Sequence, residues 1–306
     1  MTIAIQVQHR GRALRRLPLL AALALGSAGA LAGTPINERA AADAVGQVEV
    51  SNTAGTVDVT AWARNEVEVT GELGKGAERL EFTRTGKVTR VKVILPSSSS
   101  RVESSKLVVK VPAGSSLAVN TVSADVGVRG LRGSQRLQSV SGDIRTEAAA
   151  EDVECKTVSG DVNITGSGQR ALLTVTTVSG DAALAKVAGE VNGNTVSGDF
   201  TIAMSETSRS RLRSTSGNVG LTGRLAAGAR LDIESISGDV RLQLAGPVGA
   251  EFDVSTFNGQ IRNCFGPDPV RTSEYAPGRE LRFREGSGAA RVRIKTLNGD
   301  ISVCNE

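Results

Sequence analysis

TVSGD stands at residues 157–161, again at 177–181 and again at 195–199. Its relatives are TVSAD ending at Asp125, SVSGD at Asp143, STSGN at Asn218, SISGD at Asp239, TFNGQ at Gln260 and TLNGD at Asp300. Counted at the central Ser or Asn, the copies fall at 123, 141, 159, 179, 197, 216, 237, 258 and 298, in steps of 18, 18, 20, 18, 19, 21, 21 and 40. A period near twenty, built on a turn tripeptide with β-branched flanks, predicts an all-β, single-domain β-solenoid (β-helix) of SGD-turn repeats. That architecture argues against most enzyme readings and leaves the ligand open.

With the Ser/Asn as position zero, position minus four holds Val119, Leu137, Cys155, Val175, Leu212, Ile233, Val254 and Ile294, with Gly193 as the exception. Position plus three holds Val126, Ile144, Val162, Ala182, Phe200, Val219, Val240, Ile261 and Ile301. Between them lie polar or small residues such as Asn120, Lys156, Asn163 and Arg241. Alternation with period two is a half-buried strand, so each repeat reads as strand, corner, strand and a short return. Gly at the corner is expected to supply a positive φ. The Thr/Ser column at minus two suits hydroxyl bonding up the stack, and the Val/Ile/Phe column at minus one is expected to fill the inside of the corner. Phe200 and Phe257 are both expected in core columns.

Residues 1–32 read as a signal peptide. Arg10, Arg12, Arg15 and Arg16 precede a short Leu- and Ala-rich run, and Ala30-Leu31-Ala32 offers a cleavage site, with Ala28-Gly29-Ala30 as its competitor. The run is shorter than the ~20 apolar residues of a membrane span, and no span is expected in the mature chain. The whole chain has 36 Lys+Arg and 32 Asp+Glu; four of the arginines and no acid lie in the leader, so the mature chain balances at 32 of each. A balanced chain gives no support to nucleic-acid binding. The single His, His9, lies in the leader too, which removes His-based triads and the usual zinc sites from the mature chain.

Residues 33–306 are expected to form the solenoid: irregular N-terminal rungs over 48–111, where SNTAGTVDV (51–59) is a degenerate corner, then regular repeats over 112–306 with an insertion at 265–290. Cys264 and Cys304 each lie six residues after their corner Asn and share a column. The step of 40 admits either an intervening rung or an insertion. The turn-rich stretch 266–278, followed by apparent hairpin strands at 281–284 and 291–294, favours insertion. Neighbouring rungs then bring the two Cα atoms to about 5 Å, within disulfide range. The bridge is expected to staple the last rung and protect an open edge. Cys155 falls in the buried column, as an inert core thiol.

The repeated TVSGDV phrase, the run LVVKVPAGSSLAV at 107–119 and the leader together resemble the bacterial DUF4097 putative-adhesin proteins, or toastrack domains. The resemblance extends over about residues 48–303. It implies a secreted β-solenoid without known catalytic residues, in some cases tied to cell-envelope stress systems, and it supplies no site residues.

Three functional readings compete. The column Asp125, Asp143, Asp161, Asp181, Asp199, Asn218, Asp239, Gln260, Asp300 offers one carboxylate per rung, fewer oxygens than the six to eight calcium takes. Turn carboxylates accepting backbone N–H bonds are the plainer reading. A carbohydrate-active β-helix enzyme needs paired carboxylates across a cleft, whereas the acids here are dispersed on a repeat lattice. The third reading is a non-enzymatic, adhesin-like module or interaction scaffold of the cell envelope, in the periplasm or on the outer surface. It binds an envelope protein or glycan, uses no cofactor or metal, and has periplasmic envelope-stress signalling as its alternative role. Within it, the 266–278 loop with Arg271, Tyr275 and neighbouring Arg279 is either a contact surface or an end cap.

Overall fold

Two strands form each rung, one before the SGD corner and one after it, and each stacks in parallel register on its counterparts. Val153–Lys156 lies between Gln135–Gln138 and Arg170–Thr176. On the other side of the corner, Val162–Gly166 lies between Ile144–Ala148 and Ala182–Thr195. The structure, a computed structural model, describes residues 33–96 and 102–305; the leader expectation lies outside them. The described residues contain no helix, and the protein is an all-β solenoid.

The minus-four side chains Val119, Leu137, Cys155, Val175, Leu212, Ile233, Val254 and Ile294 are all fully buried. They face the plus-three and plus-five residues of the opposite sheet in one continuous core. Burying each Val, Leu or Ile contributes about 1.5–3 kcal/mol. Gly193, the exception in its column, faces the largest buried side chain. A Cβ there would meet Phe200 Cζ at 2.8 Å, Leu212 Cδ2 at 2.9 Å and Phe200 Cε1 at 3.1 Å. Phe200 thus fills the volume that Gly193 vacates, and its stacking neighbour at plus three is the small Ala182.

Between residues 182 and 237 the post-corner strand runs without a break into the next pre-corner strand, in Ala182–Thr195, Phe200–Ser216 and Val219–Ser237. Register shifts around Val187 and Gly189 bend the strand in the manner of β-bulges. Lys186 there, at φ 55°, is the one non-glycine with positive φ among the described residues.

Stacking order departs from sequence order at both ends. The last strands in the chain, Ala290–Asn298 and Ile301–Asn305, insert between the Ser237 rung and the Asn258 rung. Outside the Asn258 rung, Arg279–Glu285 pairs antiparallel with Ala250–Asn258. The expected hairpin between 281–284 and 291–294 is therefore absent: the two segments lie on opposite sides of Ala250–Asn258. Stacked rings of Phe252 and Phe283 (4.5 Å between centroids), with Phe265 at 5.6 and 6.0 Å, hold this cover down.

The N-terminal end is built alike. Gln47–Trp62 lies between Ser116–Arg129 on one side and Val88–Ile94 with Ser105–Pro112 on the other. Ala54 sits opposite Ser123 and Gly55 opposite Ala124, so SNTAGTVDV does occupy a corner position. Arg79–Thr85 covers Val88–Ile94 antiparallel, and Glu66–Leu73 covers Ser105–Pro112 likewise.

Cys264 and Cys304 are disulfide-bonded, with Cα atoms 4.7 Å apart. The bridge joins the inserted terminal rung to the outermost one. Arg279–Glu285 covers the outer edge of Ala250–Asn258, whereas Ile261–Asn263, the strand that leads into Cys264, pairs only with Ile301–Asn305.

Candidate functional site

At each corner the polarity of the alternation inverts. The inward residue at minus two is Thr or Ser, and the outward residue at minus one is apolar. Thr157, Thr177 and Thr195 are buried, and their hydroxyls accept the N–H of Gly160, Gly180 and Gly198 in the same rung at 2.9–3.0 Å. The Thr column therefore mainly closes its own turns instead of bonding up the stack; Thr256, which donates to the Gly299 carbonyl of the neighbouring rung, is an exception.

The corner glycines are required by close approach. A Cβ at Gly180 would lie 1.9 Å from the carbonyl oxygen of Gly160. Positive φ belongs only to Gly238 (137°) and Gly299 (151°) among the nine-rung corners, so the expected left-handed turn is the minority form.

The acidic column is a hydrogen-bond ladder. Asp161 N–H donates to Asp143 Oδ1 at 3.0 Å, Asp181 to Asp161 at 3.0 Å and Asp199 to Asp181 at 2.8 Å. The chain of bonds passes through Asn218 and Asp239 to Asp300, and Gln260 comes last. It follows stacking order, not sequence order. Each carboxylate thus holds the next rung through Oδ1, and Asp199 also accepts from the Asn218 side-chain amide through Oδ2 at 3.3 Å. Among the described residues no group of three His, Cys, Asp or Glu is placed to hold a metal ion.

The DUF4097 family profile, described as Toastrack, matches residues 45–304. The chain belongs to the Toastrack DUF4097 family. No curated protein matches the sequence. Among solved structures, a "putative lipid binding protein" from Parabacteroides distasonis is similar at 12% identity over 90% of this chain and 97% of its own, with a TM-score of 0.50. A "putative adhesin" from the same organism has 10% identity, 90% and 98% coverage and a TM-score of 0.45. Another "putative adhesin", from Bacteroides fragilis, has 10% identity, 89% and 97% coverage and a TM-score of 0.42. At these identities the likeness concerns the Toastrack fold alone.

The minus-one column overturns the expectation of a filled corner. Val122, Val140, Val158, Val178 and Val196 are 39–47% exposed. Ile236, Leu297 and Phe257 continue the line at 52, 48 and 54%; Thr215 is the one polar break. Phe257 is thus a surface residue, while Phe200 is buried. The reason is simple alternation: Thr at minus two already points inward, so minus one must point out. In stacking order the series runs from five valines through Ile236 and Leu297 to Phe257, nine rungs at about 4.8 Å each. The result is an apolar ridge on the Toastrack body, flanked by exposed Ser and Asp columns. Beside its Phe257 end, the 266–278 loop closes on itself through Thr272 N–H to the Gly278 carbonyl, 2.9 Å. A recess of about 490 Å³ lies there between the Asn258–Gly259–Gln260 corner and Arg271, Tyr275 and Arg279.

Cys155 offers no chemistry at the surface. It is fully buried, and burial, aided by neighbouring Glu154, pushes its thiol up to about 12.

Proposed function

We propose that this Toastrack protein is an exported, non-enzymatic interaction scaffold of the bacterial cell envelope, adhesin-like in action. On this reading residues 1–32 direct export, and the apolar ridge is the gripping surface for an envelope protein or glycan. The supporting observation is the ridge itself. Apolar residues placed outward on eight of the nine rungs, interrupted at Thr215, form a stripe, and exposed apolar stripes mark contact sites. A repeated surface also suits partners engaged by many weak, equivalent contacts.

The test is retention of the purified protein on isolated outer-membrane and cell-wall fractions, comparing wild type with Val140→Ser, Val158→Ser and Val178→Ser combined. Loss of retention with an unchanged melting temperature supports the reading. Equal retention of both proteins refutes it. Protease shaving of intact cells then separates an adhesin, which is cleaved, from a periplasmic signalling partner, which is protected.

A further inference from the structure

Away from the ridge, the outward face of the pre-corner sheet carries a run of like charge that the fold does not need. Arg209, Arg230 and Arg291 sit directly opposite one another on three successive strands. Like charges in that register destabilise a sheet. Beside them in the next outward column are Arg211, Asp232 and Arg293. The five arginines, with Glu190 and Asp232 as the acids, line a concavity of about 580 Å³. Its floor includes Ser210 and Leu231, whose side chains are buried, so the sheet backbone itself is presented there.

Internal pairing leaves most of this charge free. Arg209 reaches Glu190 only at 3.8 Å and Arg291 reaches Glu251 only at 3.9 Å. Among the described residues Arg230, Arg211 and Arg293 have no ion pair, and Asp232 Oδ1 is buried without a hydrogen-bond partner. In a mature chain with equal numbers of acids and bases, this is a local excess of guanidinium groups. Guanidinium forks match carboxylates bidentately.

The geometry points to a binding site for a short, carboxylate-bearing oligosaccharide, a uronic-acid glycan, laid along the solenoid axis over Arg209, Arg230 and Arg291. One rung, about 4.8 Å, is close to the length of one sugar residue, so successive carboxylates meet successive arginines. Glu190 and Glu251 lie opposite Arg209 and Arg291 at the two ends of the run. They repel a polyanion that continues beyond three rungs, which disfavours nucleic acid and an extended anionic membrane surface. The absence of any aromatic residue from the lining also removes the stacking platform that single-stranded nucleic acid uses. The site is independent of the ridge and does not rest on the function proposed from it.

Calorimetry of the full chain with trigalacturonate and triguluronate, against neutral maltotriose, tests the assignment. An acidic oligomer is expected to bind, more weakly as salt rises, and maltotriose is not. Arg230→Gln is expected to weaken binding roughly tenfold, as loss of one charge-assisted contact does. Arg209→Gln, Arg230→Gln and Arg291→Gln combined should abolish it without lowering the melting temperature. Val158→Ser on the ridge and Arg136→Gln elsewhere on the sheet should leave affinity unchanged. Failure of both acidic oligomers to bind, or equal affinity in the triple variant, overturns the proposal. So does tighter, Arg230-dependent binding of a short oligonucleotide or of phosphatidylglycerol vesicles.

Discussion

Exchanging volume between Gly193 and Phe200 offers the sharpest check of the core. Introducing Val at Gly193 places a Cβ within 2.8–3.1 Å of the Phe200 ring and Leu212. Overpacking of that kind costs about 1–3 kcal/mol, offset by less than about 1 kcal/mol from removing a strand glycine. Phe200→Val empties the space beneath a residue that has no side chain, and the cost approaches the ~3–5 kcal/mol of a buried Phe→Ala. The double variant restores the pairing of other rungs, where Val119 faces Val126 and Ile233 faces Val240. Its stability should exceed the sum of the single effects by about 2 kcal/mol, within the range for contacting residues. In a chain of this size that is a recovery of roughly 4–8 °C in melting temperature. The assay is thermal unfolding of the four proteins, followed by far-UV circular dichroism. Additive losses in the double variant would refute the claim that the two positions share one volume.

Three further outcomes follow from single sites. Cys155, with its thiol held near pKa 12 in the core, should resist a thiol reagent at neutral pH and react on denaturation; prompt labelling of the folded protein would contradict the burial. Reduction of Cys264–Cys304, which spans 40 residues, should cost about 4 kcal/mol on the chain-entropy account and speed amide exchange in Ala250–Asn258 before the central rungs; uniform exchange after reduction would count against the end-rung role. Glu68 is buried at the N-terminal cover and paired with Lys110 at 2.8 Å and with Arg39, and these bonds hold its carboxyl below the ordinary value of 4.5. A depressed carboxyl stabilises the fold above its unfolded-state value and loses that contribution as pH falls through the folded one. The melting-temperature gap between wild type and Glu68→Gln should therefore close on acidification below pH 4.5; a gap independent of pH would refute it.

Regular rungs were legible because each rests on local rules. Alternation placed Val119, Leu137 and Ile294 in the core, and the SGD spacing located the corners. What escaped was set by contacts between rungs. The outward turn of Val158 depends on Thr157 being needed inside to close Gly160, against the expectation that the apolar residue fills the corner. Gly180 reads as a turn glycine, yet its requirement comes from the Gly160 carbonyl one rung away. The Arg209–Arg230–Arg291 run joins residues that no local window brings together.

Insertion of the terminal rungs has the same origin and explains the closure of the solenoid. A repeat protein that simply ended at its last rung would leave that rung half-paired and its core face open. Here Ala290–Asn298 and Gln47–Trp62 each have parallel partners on both sides. The outermost rungs are instead internal in sequence, so each is tethered at both of its ends; antiparallel strands cover Val88–Ile94 and Ser105–Pro112 at one end and Ala250–Asn258 at the other. On the C-terminal side that cover, RELRFRE, places charges at alternate positions on the last edge, which discourages pairing with another chain. The disulfide then makes sense where it stands. Cys304 ties the inserted strand Ile301–Asn305 to the rung of Ile261–Asn263, which pairs with that strand alone.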